Sequence, residues 1–259
     1  MKNHSSGYTL LEVLVAVVCV LTISSLVLSS RDLNRRSANT AKCLNNLRQI
    51  NIGLQIHADT NDSSLPQLQN GWPGTSREVV SCWSALLITS EMIPSVELFD
   101  CPELSPKSSP FLSLGRNSDQ ADPDWKSVEY GINAIHLATS LRPSGGGGDL
   151  DVSMTALQTP ASLDQIRTPG ETIALVDAVN SLYLTKTGIE RGFYSSSDTF
   201  LTRSSYGQAS PRHVGDAVNV AWLDGHVTSK LASNPSNPYS PDALTDGLKE
   251  FGNNFWDRD

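Results

Sequence analysis

From Val13 to Ser30 the chain reads VLVAVVCVLTISSLVLSS, 18 residues without a charge. A helix crosses a bilayer core ~30 Å thick with ~20 apolar residues. Any fold of this chain must therefore give this run surroundings other than water. Extending it back to Tyr8 adds one charged residue, Glu12, and the Ser24-Ser25 pair is its least apolar part. A cleaved secretory signal has ~7–15 apolar residues followed by a small-residue site. This run is longer and no such site follows, so it reads as an anchor. No Gly or Pro occurs between Tyr8 and Ile52. Beyond the run, Leu33, Ala41, Leu44, Leu47, Ile50, Leu54 and Ala58 recur at near-helical spacing, with Asn45, Asn46, Arg48, Gln49 and Asn51 filling most other positions. The pattern predicts one helix to about Thr60, ended by Asn61-Asp62 and Ser63-Ser64-Leu65-Pro66. Such a rod is ~75–80 Å long. Its first half belongs in an apolar medium, and its second half packs an apolar stripe on a sheet. Gly53 is a weak point, costing ~1 kcal/mol against Ala.

A carboxylate inside an apolar span needs a functional reason. Glu12 either reaches the interface from the helix end or meets a dedicated positive partner. The sequence around it, Gly7-Tyr8-Thr9-Leu10-Leu11-Glu12-Val13-Leu14-Val15, closely resembles the processing site of type IV prepilins and type II secretion pseudopilins. The resemblance implies cleavage between Gly7 and Tyr8 by a prepilin peptidase, N-methylation of Tyr8, and Glu12 at the family's fifth mature position. There its carboxylate would pair with the amino terminus of a neighbouring subunit, fixing register in a low-dielectric filament. Counting flanking cations points the other way. Lys2 precedes the run, while Arg31, Arg35, Arg36 and Lys42 follow it, which by charge alone puts the C-terminal bulk in the cytoplasm. The processing motif takes precedence, because cleavage needs the leader on the cytoplasmic side.

The stretch Ala41-Lys42-Cys43-Leu44-Asn45-Asn46-Leu47-Arg48-Gln49-Ile50, with Asp59-Thr60-Asn61-Asp62 and Pro66, is also similar to a large pilin-like family of bacterial proteins. That family has a Cys-x-Asn-Asn-Leu-x-Gln helix and a C-terminal domain of unknown function bearing a His-x9-Asp-Gly motif. Leu98-Phe99-Asp100-Cys101-Pro102 and Tyr130-Gly131-Ile132-Asn133 are similar to its Cys-Pro and Tyr-Gly-x-Asn blocks. The C-terminal motif maps to His213, Asp224 and Gly225, with ten residues between His213 and Asp224 instead of nine. The extra residue falls in Val214-Gly215-Asp216-Ala217.

The middle of the chain is loop-rich at 62–75 and 102–124, and Ser144-Gly145-Gly146-Gly147-Gly148-Asp149 reads as a flexible break. A short helix fits Ser84–Ile93. Glu171-Thr172-Ile173-Ala174-Leu175-Val176-Asp177 reads as a strand after Pro169-Gly170. Val218–Leu223 and His226–Leu231 flank Asp224-Gly225, a strong hairpin signal. The expected fold class is α+β and pilin-like, the long N-terminal helix packing on an antiparallel sheet. The expected organisation is a leader at 1–7, a membrane-spanning half-helix at 8–30, an extracytoplasmic half-helix at 31–61, and an α+β body at 62–259 ending in the hairpin. The aromatic residues Phe251, Phe255 and Trp256 are expected to dock on the body.

Several chemistries can be weighed from the residues. A net charge of −8 excludes a generally basic nucleic-acid binder, so no nucleic acid is expected as a partner. Four cysteines are too few for a disulfide scaffold. Cys19 falls in the span as a small packing residue. Cys43, Cys82 and Cys101 allow three single pairings and leave one thiol over; the pilin-like resemblance favours Cys43–Cys101. The absence of a Cys-x2-Cys pair argues against zinc. No Walker-type loop and no Gly-x-Ser-x-Gly elbow occur, so the chain is neither a motor ATPase nor a serine hydrolase of that type. His213 and Asp224 read first as structural, the imidazole bonding back to the Asp224 turn. A candidate Ca²⁺ site would use Asp177, Asp216 and Asp224; no other cofactor is expected. The resulting expectation is a non-enzymatic pseudopilin or minor pilin-like subunit of a type II secretion or type IV pilus-like system. It would be single-pass in the inner membrane with a periplasmic body, partnered by prepilin peptidase, other pilin-like subunits and the membrane. The alternative is a signal-anchored metal-dependent binder or hydrolase using His213, Asp224 and His226.

Overall fold

The computed structural model describes residues 8–70, 81–104, 109–134, 137–138, 160–196 and 207–231; the side chains of residues 26–30, 70 and 181 fall outside that description. Gly7, the glycine run at 145–148 and the C-terminal aromatic residues Phe251, Phe255 and Trp256 lie outside the described residues.

Helix α1 runs unbroken over Leu10–Thr60, as the absence of Gly and Pro before Gly53 requires. Its start is fixed by a capping box. The Glu12 amide donates to Thr9 Oγ1, and the Thr9 amide donates to Glu12 Oε2 at 2.9 Å. Its end is fixed by Asn61, whose amide donates to the Ala58 carbonyl, and by Asp62 and Ser63, both at positive φ. Over its first turns no other described residue covers the helix. Leu10, Leu14, Val17, Val20, Leu21 and Ile23 are all more than half exposed, on every side of the rod. Among the described residues no helix is long and apolar enough to cross a membrane. The uncharged run continues through residues 26–30, beyond the described side chains.

From Arg36 onward α1 meets the body. Arg36 pairs with Glu103 at 3.4 Å and Asn39 donates to the same carboxylate at 2.6 Å. Cys43, Leu47, Ile50, Leu54 and Ala58 are fully buried at i, i+4, i+7, i+11 and i+15. The stripe departs from the sequence reading at three points. Leu33 is exposed because it precedes the body, and Ala41 because it faces away from the side that carries Cys43 and Leu47. Asn46 and Asn51 face inward, because loop and strand carbonyls there need donors: Asn46 bonds the Asp100 carbonyl and Asn51 the Trp222 carbonyl. Gly53 is a contact point, since a Cβ there would fall 2.5 Å from Ile93 Cγ2.

The body begins with a short antiparallel pair, β1 (Gln69–Asn70) and β2 (Ser81–Cys82), followed by α2 (Trp83–Thr89). The main sheet uses β3 (Tyr130–Asn133), β4 (Ile173–Asn180), β5 (Ser195–Ser196), β6 (Gly207–Ala209), β7 (Ala217–Trp222) and β8 (Val227–Leu231). A seven-residue helix, α3 (Ser181–Thr187), follows β4. Among the described residues the order is β5-β3-β4-β7-β8, with β6 also paired to β4. The chain is α+β as expected, but the sheet is mixed. β5 pairs parallel to β3, Ile132 opposite Ser195, because residues 181–194 carry the chain back across the sheet before it pairs. β4 is buried along almost its whole length, which explains its near-continuous apolar run. The C-terminal hairpin forms where expected, Ala221 opposite Val227. Its loop has three residues, Leu223-Asp224-Gly225, with Gly225 at φ 100° closing it.

Alternation divides the sheet residues between two faces. One face joins α1, Trp83, Phe99 and Phe111 in the main core, the rings packed edge to face at 5.5 and 6.5 Å. The other carries Ile173, Val176, Val218, Val220 and Trp222 in a smaller cluster.

Candidate functional site: a buried thiol, imidazole and carboxylate cluster

Four elements bring their polar side chains together inside the core. Helix α1 supplies Cys43 and, one turn earlier, Thr40. The segment after the 3₁₀ turn Val96–Phe99 supplies Cys101. Strand β4 supplies Asp177. The tight turn before β7 supplies His213, whose amide donates to the Ala217 carbonyl and whose carbonyl accepts from the Asp216 amide, with positive φ at Gly215 and Asp216. Cys43, Cys101, Asp177 and His213 are fully buried.

The two thiols lie 2.9 Å apart, longer than the ~2.05 Å of a disulfide bond, and both are free. His213 Nε2 lies 3.8 Å from Cys101 Sγ and 3.0 Å from Asp177 Oδ2. Asp177 Oδ2 also accepts from the Asn219 amide at 2.7 Å. On the far side of the ring, Thr40 Oγ1 is 3.3 Å from Nδ1. Thr40 spends its hydroxyl proton on the Arg36 carbonyl, so towards the ring its oxygen accepts and Nδ1 carries the hydrogen. Burial would push His213 down, but the Asp177 carboxylate and the Cys101 thiol outweigh it and hold the imidazole up at about 10. Burial pushes the Cys101 thiol well up.

A second layer surrounds this cluster. Glu129 accepts from the Cys101 amide and from Ser109 Oγ, and burial pushes its carboxyl up to about 7 against the pull of Ser109 and Arg212. Arg212 donates to the Ala178 carbonyl at 2.7 Å and to Ser210 Oγ. Both thiols and the imidazole are sealed from solvent. The cluster can cross-link, hold a cation or stabilise the fold.

The expected sets sort differently. Cys43 and Cys101 meet but are not joined, so the disulfide that the resemblance favours is not formed here. The candidate Ca²⁺ set does not assemble: Asp216 and Asp224 lie beyond opposite ends of β7, ~20 Å apart at ~3.3 Å per residue, and Asp177 is committed to His213 and the Asn219 amide. The His213, Asp224 and His226 set does not assemble either. Asp224 and His226 bond each other at the hairpin loop, half exposed, with His226 stacked on Trp222. His213 does not bond back to the Asp224 turn; Asp177 takes it instead. That turn is held by the Asp224 amide donating to the Pro169 carbonyl. Thr40, Glu129 and Arg212 join the site from outside every motif named above. Their signal was faint: an acid beside a Tyr-Gly strand start, and an Arg-His pair before a turn. At the chain's start, Tyr8 is 88% exposed, and the Glu12 carboxylate engages only its own cap residue, Thr9, among the contacts described for it. Compared with known proteins, the chain matches no family model, no curated protein and no solved structure.

Proposed function

We propose that this chain is a non-enzymatic pseudopilin or minor pilin-like subunit of a type II secretion or type IV pilus-like system. In this reading prepilin peptidase trims it between Gly7 and Tyr8, and the first half of α1 holds it in the inner membrane and then in a filament. The α+β body lies on the periplasmic side and makes subunit or cargo contacts.

The observation that carries the reading is the start of α1, residues 10–25: a capped helix with Leu, Val and Ile on every side, which the described residues leave uncovered. A helix of that kind belongs in an apolar medium or against copies of itself. Its few polar groups suit such surroundings. Thr22, Ser24 and Ser25 return their hydroxyl protons to helix carbonyls at 2.7–2.9 Å, so the least apolar part of the run leaves none of these donors unmet. Glu12 is the remaining charge. Inside one chain it completes the capping box; in a filament it would also meet a neighbour's amino terminus.

Those two roles of Glu12 separate by substitution. Glu12→Gln preserves the capping box, which accepts Gln as well as Glu, but removes the charge. Thr9→Ala removes the cap and leaves the charge. Expressed in cells with the assembled machine, Glu12→Gln is expected to remain membrane-bound yet fail to enter filaments. Thr9→Ala is expected to enter them. Normal incorporation of Glu12→Gln, scored by shearing and blotting, refutes the assembly role.

A further inference from the structure

The cluster of Cys43, Cys101, His213 and Asp177 has the makings of a metal centre that sequence spacing concealed. Its ligands come from three separated elements, so no Cys-x2-Cys pair announces it. One sulfur from each cysteine and one ring nitrogen of His213 lie within 4.8 Å of one another, all buried. A tetrahedral zinc site with Zn–S ~2.3 Å and Zn–N ~2.0 Å needs ~3.8 Å between sulfurs and ~3.5 Å between sulfur and nitrogen. Cys101 Sγ and His213 Nε2, at 3.8 Å, are already near that spacing. The two sulfurs, at 2.9 Å, need to part by ~0.9 Å.

The second layer points the same way. Thr40 accepts from Nδ1–H and so turns Nε2 towards Cys101, the outer-sphere arrangement that orients a ligating histidine. Asp177 stands 3.0 Å from that nitrogen, with its other oxygen, Oδ1, buried and without a hydrogen-bond partner. A disulfide between the cysteines would leave that oxygen and the His–Asp pair with no cross-linking task. A cation among the two sulfurs and the ring nitrogen would engage all three, with Asp177 next to the imidazole.

We infer that Cys43, Cys101 and His213 form a buried three-ligand site for one borderline-soft divalent cation of the zinc type, with the Asp177 carboxylate beside the imidazole. Binding exchanges the thiol protons and the Nε2 proton for the cation, with no change of oxidation state. The ion would tie the inner half of α1 to the segment that carries Cys101 and to the turn before β7. The inference is independent of any role in filament assembly.

The test uses the full chain in detergent, kept reduced by a phosphine, with Co²⁺ as the probe and Zn²⁺ as competitor. One equivalent of Co²⁺ is expected to bind with a thiolate-to-cobalt charge-transfer band that Zn²⁺ abolishes. Cys43→Ser and Cys101→Ser should each lose the band, and Cys82→Ser and Cys19→Ser should keep it. Should the first two variants fail to fold, peptide mapping of the wild type decides: Zn²⁺, but not Mg²⁺, should protect Cys43 and Cys101 from alkylation. A wild-type chain with no band, a band that survives Cys43→Ser, or no selective protection overturns the site. So does a chain isolated from its own cells with Cys43 and Cys101 already joined and no metal bound.

Discussion

The two halves of α1 share one backbone and differ in what covers them among the described residues. Residues 10–25 present Leu, Val and Ile on every side and bury none of them within the chain, whereas residues 43–58 concentrate burial on one stripe and send Asn46, Asn51 and Gln55 to carbonyls of the body. Helical propensity does not distinguish the halves. The distribution of polar groups does: in the first half the hydroxyls fold back on the helix itself, and in the second the amides reach out to strand and loop carbonyls. A single element is thus packed at one end by its own body and left uncovered at the other by the described residues.

The comparison breaks most easily at the buried stripe. Leu47→Ala is expected to destabilise the body by about 2–5 kcal/mol, read as a lower melting temperature in detergent. Val17→Ala, in the exposed half, should stay within about 0.5 kcal/mol of the wild type in the same melt. Equal losses would erase the distinction between the halves. Gly53 sharpens it. In a free helix Gly53→Ala would gain ~1 kcal/mol, but here the added Cβ meets buried Ile93, so a loss of about 1–3 kcal/mol is expected by denaturant unfolding. A gain at that position would mean the helix and the α2 region are not packed as described. The smallest effect is a pH dependence. Burial holds His57, near the end of the packed half, below its ordinary value of 6.5. The unfolded chain therefore takes up that proton more readily, and stability should fall as pH drops through about 6.5. His57→Gln should flatten that part of the melting-temperature profile.

The fold was legible where one local pattern decided it. The helix end at Thr60, the β4 run and the β7–β8 hairpin all follow from spacing, punctuation residues and Asp-Gly chemistry. The inward Asn46 and Asn51 were not legible, because a polar residue on a helix gives no sign of which carbonyl will face it. The parallel β5 edge was hidden for a similar reason: Ser195-Ser196 carries no strand pattern, and its pairing with β3 is set by the return path of the chain. At the candidate site, meeting of the Cys43 and Cys101 blocks was implied by resemblance alone. The pairing of His213 with Asp177 was misplaced onto the Asp224 turn, since sequence nearness to the Asp-Gly loop outweighed a lone acid in a buried strand. That lone acid was the better signal, because a carboxylate inside a continuous apolar run must have a partner.

The account turns on the uncovered half-rod being made for neighbours and not for water. Intact-mass and N-terminal peptide analysis of the chain extracted from its own membranes tests this most directly. The account predicts a mature chain beginning at an N-methylated Tyr8. A mature chain that still begins at Met1 and carries residues 1–7 contradicts it.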